Sequence, residues 1–168
     1  MGMESRETGW NVLRTRSRQE KIVEKHLEQK QITVYLPKIS RINPTRMQQK
    51  PVEWPLFPGY VFIKPRADQF YSLNFIPGSC GLVLEKKMAG VVYDRELDAI
   101  RMLLGTDIPI DCHAGLLLGT RVKVMIGPLA GIEGELVNFK NQNRLVLNAK
   151  ILGSAVSIEI NRHQILPI

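Results

Sequence analysis

The chain has 168 residues, of which 44% are hydrophobic, enough to bury one ordinary core or two small ones. Its two cysteines, Cys80 and Cys112, lie far apart and share no ligand spacing with the three histidines, so we expect no disulfide framework, metal site or cofactor. The N-terminus lacks an apolar signal segment, and no apolar run approaches the roughly 18 residues of a membrane span. We therefore expect a soluble, cytoplasmic protein with no membrane partner.

The formal net charge of +7 is concentrated in the first part of the chain. Residues 14–50 hold ten basic and three acidic side chains. Such an excess attracts polyanions over a Debye length of about 8 to 10 Å, which makes nucleic acid the leading candidate partner. The alternative is a solvated basic face on a globular domain.

The first elements are a strand from Trp10 to Thr15 and a helix from about Arg18 to Lys30. Ser17 and Glu20 have the spacing of a capping box, which predicts where the helix begins. Its buried stripe comprises Ile22, Val23, His26 and Leu27, and a basic row of Arg18, Lys21 and Lys25 runs beside Ile22. This row is compatible with a binding surface, or with solvated charge that only stabilises the helix.

The segment up to residue 104 alternates strand and helix signals. Ile32 to Ile39 is β-rich with Pro37 at a sheet edge, and residues 40–53 read as a long polar loop or mobile hairpin tip. Strands follow at residues 55–64 and 80–85, a short helix at 68–74, and a last helix capped by Asp94 and ended by Gly105. This order predicts an α+β domain of ferredoxin-like type, with helices on an antiparallel sheet.

Residues 105–117 lack periodicity and predict a linker between a domain at 1–104 and a second domain at 118–168. In the second domain, Val122, Val124 and Ile126 alternate with polar positions before a Gly127-Pro128 turn. Five short strands in about fifty residues are enough for a small β-barrel.

The segment from Gly119 to Gly134 resembles the KOW motif of SH3-like barrels. Together with the N-terminal strand, the basic helix and the tract Leu56-Phe57-Pro58-Gly59-Tyr60-Val61-Phe62, it resembles the NusG family of transcription elongation factors over nearly the whole chain. The sequences His26-Leu27-Glu28 and Tyr35-Leu36-Pro37 are more similar to the specialised RfaH-like and UpxY-like antiterminators than to the general factor. The resemblance implies an N-terminal NGN domain and a C-terminal KOW barrel. The glycines of the C-terminal domain favour β-structure at rest.

The resemblance also implies that the N-terminal domain binds the clamp helices of bacterial RNA polymerase and suppresses pausing. The matching positions are Trp10, Phe57, Pro58 and Tyr60, although Trp10 and Phe57 are equally compatible with a core role. At the start of the second helix, RfaH-like proteins carry a polar motif that touches the polymerase gate loop. This chain has Gln69-Phe70-Tyr71 there, which departs from that motif.

Family members place the first helix near the upstream DNA fork, where RfaH-like proteins read the non-template strand. The corresponding residues are Arg16, Arg18, Lys21, Lys25 and His26, with a satisfied core-edge histidine as the alternative for His26. The KOW barrel of the general factor recruits a ribosomal protein or the Rho terminator through an exposed apolar turn. Leu129 and Ile132 occupy that turn here, without the family's aromatic residue.

The sequence contains no nucleophile with a base, carboxylate dyad or phosphate loop, so we expect a monomeric adaptor that acts by binding and not an enzyme. The alternative is a ribosome- or RNA-binding KOW protein with an unrelated basic N-terminal domain.

Overall fold

The computed structural model describes residues 9–42 and 50–168. The chain divides into two compact units, Met1–Asp94 and Arg95–Ile168. None of the helices in the described ranges is long and apolar enough to cross a membrane.

The first unit is an antiparallel sheet with helices, as predicted. Its elements in chain order are β1 (Gly9–Thr15), α1 (Glu20–Gln29), β2 (Thr33–Tyr35), β3 (Lys38–Ile42), β4 (Pro51–Pro55), β5 (Tyr60–Lys64), a 3-10 helix (Ala67–Phe75), β6 (Ser79–Leu82), β7 (Leu84–Glu85), β8 (Met88–Ala89) and β9 (Val92–Tyr93). The main sheet has the order β2-β5-β1-β6, and β9 pairs with the start of β1. Two separate hairpins, β3-β4 and β7-β8, extend from it.

One face of this sheet packs against α1. Leu13 of β1 and Ile63 of β5 meet Val23 and Leu27 of α1 in a core from which water is excluded. The other members of this core are Ile32, Leu36, Val61, Leu73 and Ile76. Because side chains alternate along a strand, the neighbours Val12 and Phe62, which pair across β1 and β5, lie on the opposite face.

Two predictions for this unit are wrong. The helix begins at Glu20 with Gln19 as N-cap and has no side-chain cap, so Ser17 and Glu20 do not form a capping box. Arg18 has φ of 60°, a left-handed turn that precedes the helix and does not belong to it. Residues 40–53, predicted as a long loop or a hairpin tip, contain the facing ends of an antiparallel hairpin of β3 and β4, and residues 43–49 lie outside the described part.

The second unit is a β-domain, as predicted from the alternating strands. The helix α2 (Asp94–Leu104) precedes its strands. These are β10 (Asp111–His113), β11 (Thr120–Val124), β12 (Glu133–Phe139), β13 (Gln142–Ala149), β14 (Ser154–Glu159) and β15 (Ile165–Pro167). The antiparallel order is β10-β14-β13-β12-β11-β15. Val122, Leu145 and Ile158 are completely buried and form the centre of its core. Thus the five predicted strands are present, in an arrangement that fits an SH3-like barrel.

The sixth strand, β10, lies inside the predicted linker. Its Asp111 carboxylate is 2.7 Å from the guanidinium of Arg144, a side chain that is buried in the barrel. The same Arg144 donates through Nε to Ser157 Oγ at 2.8 Å, and His113 Nε2 lies 2.8 Å from that oxygen. Residues 111–113 are therefore an integral part of the sheet. The division into functional domains at 1–104 and 118–168 remains a prediction.

The segment after β10 is also fastened to the barrel. The side-chain amide of Asn148 accepts from Leu117 N–H at 2.9 Å and donates to Leu117 C=O at 2.8 Å. This two-point contact satisfies both backbone groups of a residue that has no strand partner.

Candidate functional site

The tract singled out in the sequence forms a turn that joins three elements of the first unit. Gly59, with φ of 87°, donates its N–H to Glu20 Oε1 of α1 at 2.8 Å. Its carbonyl accepts from Thr15 N–H of β1 at 2.9 Å, and Tyr60 then begins β5. Glycine suits this position because a left-handed φ strains residues that carry Cβ. The turn presents Pro58 as exposed and Tyr60 as half-buried.

An aromatic row lies behind this turn. Tyr35 contacts Trp10 and Phe62, each at 6.4 Å between ring centroids, and Phe57 meets Phe62 edge-on at 6.0 Å. Trp10 and Phe57 are only 6% and 4% exposed, whereas Tyr35 remains half-buried. The two residues expected to touch a partner therefore support the surface from beneath, which agrees with their alternative core role. Tyr35 and Phe62 link these two buried rings, and the contact of Trp10 and Phe57 with a partner stays a prediction.

The indole of Trp10 is fixed by charged neighbours. Its Nε1–H donates to Asp94 Oδ1 at 2.7 Å. The Lys64 ammonium lies 3.2 Å from the same carboxylate and 5.4 Å from the centroid of the indole ring. These contacts hold one end of the aromatic row in a single orientation.

The 3-10 helix separates its predicted polymerase contacts into one buried and two exposed residues. Gln69 is buried. Its side-chain oxygen Oε1 accepts from Arg66 N–H at 2.9 Å, and its side-chain Nε2 donates to Gln31 C=O at 3.3 Å. Phe70 and Tyr71 are exposed. Tyr71 packs edge-on against Phe75 with 5.3 Å between centroids. The sequence did not single out Phe75, because a spacing of four residues from Tyr71 indicates a shared face in an α-helix but not in a 3-10 helix, whose period is three.

The basic residues of the first helix region are mostly at the surface. Arg16, Arg18, Lys21 and Lys25 are exposed, and His26 is half-buried at the edge of the apolar stripe. The Lys21 ammonium donates to the Glu53 carbonyl of β4 at 3.1 Å. A second link, from Lys38 of β3 to Glu24 at 2.8 Å, fastens the hairpin to α1. The structure thus brings the basic row and the β3-β4 hairpin together, which the sequence did not indicate.

The KOW turn differs from the expectation of an exposed apolar contact. Leu129 and Ile132 are only 3% and 4% exposed. The turn folds back on itself, since Val124 N–H donates to Ile132 C=O and Gly131 N–H donates to Val124 C=O, each at 2.8 Å. The exposed apolar side chains near this turn are Met125 and Ile126, at 53% and 54%. Leu129 and Ile132 therefore shape the turn from inside.

Residues 8–101 match the family model described as transcription termination factor nusG. The chain belongs to the NusG family. Its Lactococcus lactis relative, named transcription termination/antitermination protein NusG, is 26% identical over 171 residues, which cover 94% of this chain and 91% of that protein. The NusG of Streptococcus pyogenes serotype M1 is 27% identical over 177 residues, covering 97% and 98% of the two chains.

A solved structure agrees with this fold. The structure titled "Domain interaction in Thermotoga maritima NusG" superposes with a TM-score of 0.52 at 21% identity, and covers 95% of this chain and 97% of that one. This likeness supports the fold, and the family match together with the named relatives shows the chain to be a NusG-family transcription termination/antitermination factor.

Proposed function

We propose that this NusG-family chain binds the clamp helices of bacterial RNA polymerase through its first unit, suppresses pausing and promotes elongation. The observation that carries the proposal is the turn at residues 57–60, which Glu20 and Thr15 fix at Gly59 and which brings exposed Pro58 and half-buried Tyr60 to the surface. Aromatic side chains give a large contact area with few rotors to order, so a Tyr60 held in this way suits a partner helix.

The 3-10 helix supplies a second surface for the polymerase in this proposal. Phe70 and Tyr71 are exposed, and Tyr71 reaches 75% exposure beside Phe75. They replace a polar gate-loop contact with an aromatic one. Gln69 acts on this surface only indirectly, because its side chain ties the helix to Gln31 and Arg66.

The proposal assigns the basic row of α1 and the turn before it to the non-template DNA strand. Arg16, Arg18 and Lys25 are exposed where phosphates can approach, Lys21 is exposed while its ammonium also donates to Glu53 C=O, and His26 is half-buried beside them. Phosphate contacts supply affinity that falls with salt, whereas base contacts select sequence. A specialised RfaH-like or UpxY-like role would require such base contacts.

The second unit is assigned the recruitment of a ribosomal protein or of Rho. Met125 and Ile126 supply the apolar surface beside the KOW turn, and buried Leu129 and Ile132 set its shape. The factor would act without catalysis, by stabilising the pause-resistant polymerase conformation. A coupling of about 1 to 3 kcal/mol is sufficient for a several-fold change in pausing.

The test compares Tyr60→Ala with Phe139→Ala, a truncation of an aromatic residue that is 45% exposed in the second unit. In pull-downs from nuclease-treated lysate we expect Tyr60→Ala to recover several-fold less RNA polymerase and to lose pause suppression in transcription on a pausing template. Phe139→Ala should behave as wild type in both assays. Wild-type polymerase recovery by Tyr60→Ala would contradict the proposed surface.

A further outcome separates the alternative function. If wild-type protein loses its principal partner on nuclease treatment and retains no polymerase subunits, the chain is a ribosome- or RNA-binding KOW protein. Circular dichroism of each variant establishes that the fold survives.

A further inference from the structure

The β3-β4 hairpin presents a tryptophan that the roles above do not use. Trp54 pairs with Ile39 across the hairpin, and Arg41 pairs with Val52, so these four side chains share one face. The neighbouring Lys38 lies on the other face and reaches Glu24 of α1. The Trp54 face is therefore directed away from α1. Trp54 itself is 47% exposed.

An indole this exposed on a two-stranded hairpin contributes little to a core, but its flat face is a platform on which an unpaired base can stack. Every base has a π-face, so such stacking accepts any sequence. The hairpin thus has the aromatic component of a surface for single-stranded nucleic acid.

The charges of the hairpin supply the second component. In its described ranges, residues 38–42 and 50–55, the basic residues are Lys38, Arg41 and Lys50, and the single acidic residue is Glu53. Arg41 lies diagonally across from Trp54 on the same face. A face with basic and aromatic side chains suits a polyanion with exposed bases. It suits an apolar protein surface without acidic residues less well.

Position relative to α1 is the third component. The Lys21 ammonium holds the carbonyl of Glu53, the residue directly before Trp54, at 3.1 Å. Together with the Lys38–Glu24 pair, this contact fixes the hairpin beside the basic row of α1. Trp54 lies on the opposite face of the same hairpin, so a strand whose phosphates follow that row reaches it by passing over the hairpin edge.

We propose that Trp54 stacks on an unpaired base of single-stranded DNA, while Arg41 and Lys50 contact the flanking phosphates. This inference rests on the proposed DNA role of α1 and extends it to a second element. Stacking adds affinity that depends little on salt, since it neutralises no phosphate.

The experiment measures binding of the full chain to a labelled single-stranded DNA of about 12 nucleotides, within the range that one single-strand-binding module covers. Stacking of one base is worth about 1 to 3 kcal/mol, so Trp54→Ala should weaken binding about 5- to 150-fold while the slope of affinity against salt is unchanged. Trp54→Phe should restore most of the affinity, and Phe139→Ala is the matched control expected to bind as wild type.

Fluorescence gives an independent readout. The chain has two tryptophans, Trp10 and Trp54, so Trp10→Phe leaves Trp54 as the only tryptophan and selective excitation reports on it alone. We expect the DNA to quench this emission. Wild-type affinity of Trp54→Ala together with unquenched emission would overturn the inference.

Further arms separate the other possibilities. A Lys25→Gln variant that loses affinity while Trp54→Ala does not would refute the stacking role alone, and no effect in either would refute the DNA role of α1 as well. Binding of RNA of the same sequence more than tenfold tighter than DNA would overturn the choice of DNA. Quenching by polymerase without nucleic acid would identify a protein partner instead.

Discussion

A single buried carboxylate organises the candidate polymerase surface at the residue scale. Glu20 is 5% exposed, and its Oε1 accepts the N–H of Gly59 at 2.8 Å, 39 positions along the chain. A charged acceptor in a water-poor environment makes a stronger hydrogen bond than a neutral one. The link therefore connects the start of α1 to the turn that presents Tyr60.

We expect Glu20→Ala to destabilise the protein by about 1 to 3 kcal/mol, because the partly buried Gly59 N–H loses its charged acceptor and the buried Glu20 side chain leaves a gap. Glu20→Gln keeps an acceptor oxygen and should lose less. Urea denaturation measures both effects. Glu28→Ala, an exposed glutamate on the same helix, is the control and should stay within about 0.5 kcal/mol of wild type. Equal stability of the two alanine variants would show that the Gly59 contact is dispensable.

The Glu20 contact also explains why the capping box was predicted wrongly. The Ser17 to Glu20 spacing is a local pattern, but the carboxylate is used by a turn that only the tertiary fold brings near. The exposure of Leu129 and Ile132 was predicted wrongly for the same reason. Their side chains are buried because the turn folds back on its own strand, a contact that the local sequence does not indicate. Alternation correctly placed Val122 and Val124 inside, because their strand has one buried face.

At the element scale, β10 depends on polar contacts rather than on apolar alternation. Asp111 and His113 reach the buried Arg144 and Ser157, and the exposed Cys112 lies between them. Hydrophobic periodicity does not reveal a strand of this kind, so the sequence predicted a linker. The sequence left the β3-β4 segment open between a loop and a hairpin tip for a related reason: its prolines and polar residues are typical of loops, and the hairpin is fixed partly through α1.

Removal of the Asp111 carboxylate should loosen β10 while the barrel stays folded. Asp111 is the more exposed partner of the pair, so we expect Asp111→Ala to cost only about 1 kcal/mol in global stability. Amide hydrogen exchange at residues 111–113 should accelerate clearly, and exchange in the centre of β13 should not change. Asp107→Ala is the matched control. Unchanged exchange at residues 111–113 in Asp111→Ala would argue that backbone pairing with β14 is sufficient.

At the scale of the whole molecule, charge and fold are separable properties. The family fold was predictable because the helical and strand periodicities of the apolar residues and the tract at residues 56–62 occur in a fixed order along the chain. The positive charge was equally visible, with ten basic residues between 14 and 50. Which of these residues are available to a ligand was not visible, because Lys21 and Lys38 make internal contacts that depend on the hairpin.

Lys25 is exposed and is the clearest test of the electrostatic contribution. We expect Lys25→Gln to weaken single-stranded DNA binding at low salt and to reduce the slope of log affinity against log salt by about 0.7, the value for one lost phosphate contact. Binding titrations between about 50 and 200 mM salt measure the slope. Lys140→Gln, which removes one positive charge from the second unit, controls for net charge. Equal slopes in wild type and Lys25→Gln would exclude a phosphate contact at this residue.

The peptide at Gly59 is held on both sides, by Glu20 through its N–H and by Thr15 through its carbonyl. A turn whose backbone is already ordered loses little conformational entropy when a partner docks on it, so more of the contact energy remains as affinity. Pre-organisation of this kind acts mainly on the lifetime of a complex and less on the rate of encounter. If the partner docks on this turn as proposed, we expect Glu20, which lies beneath the surface, to lengthen the lifetime of the complex without touching the partner.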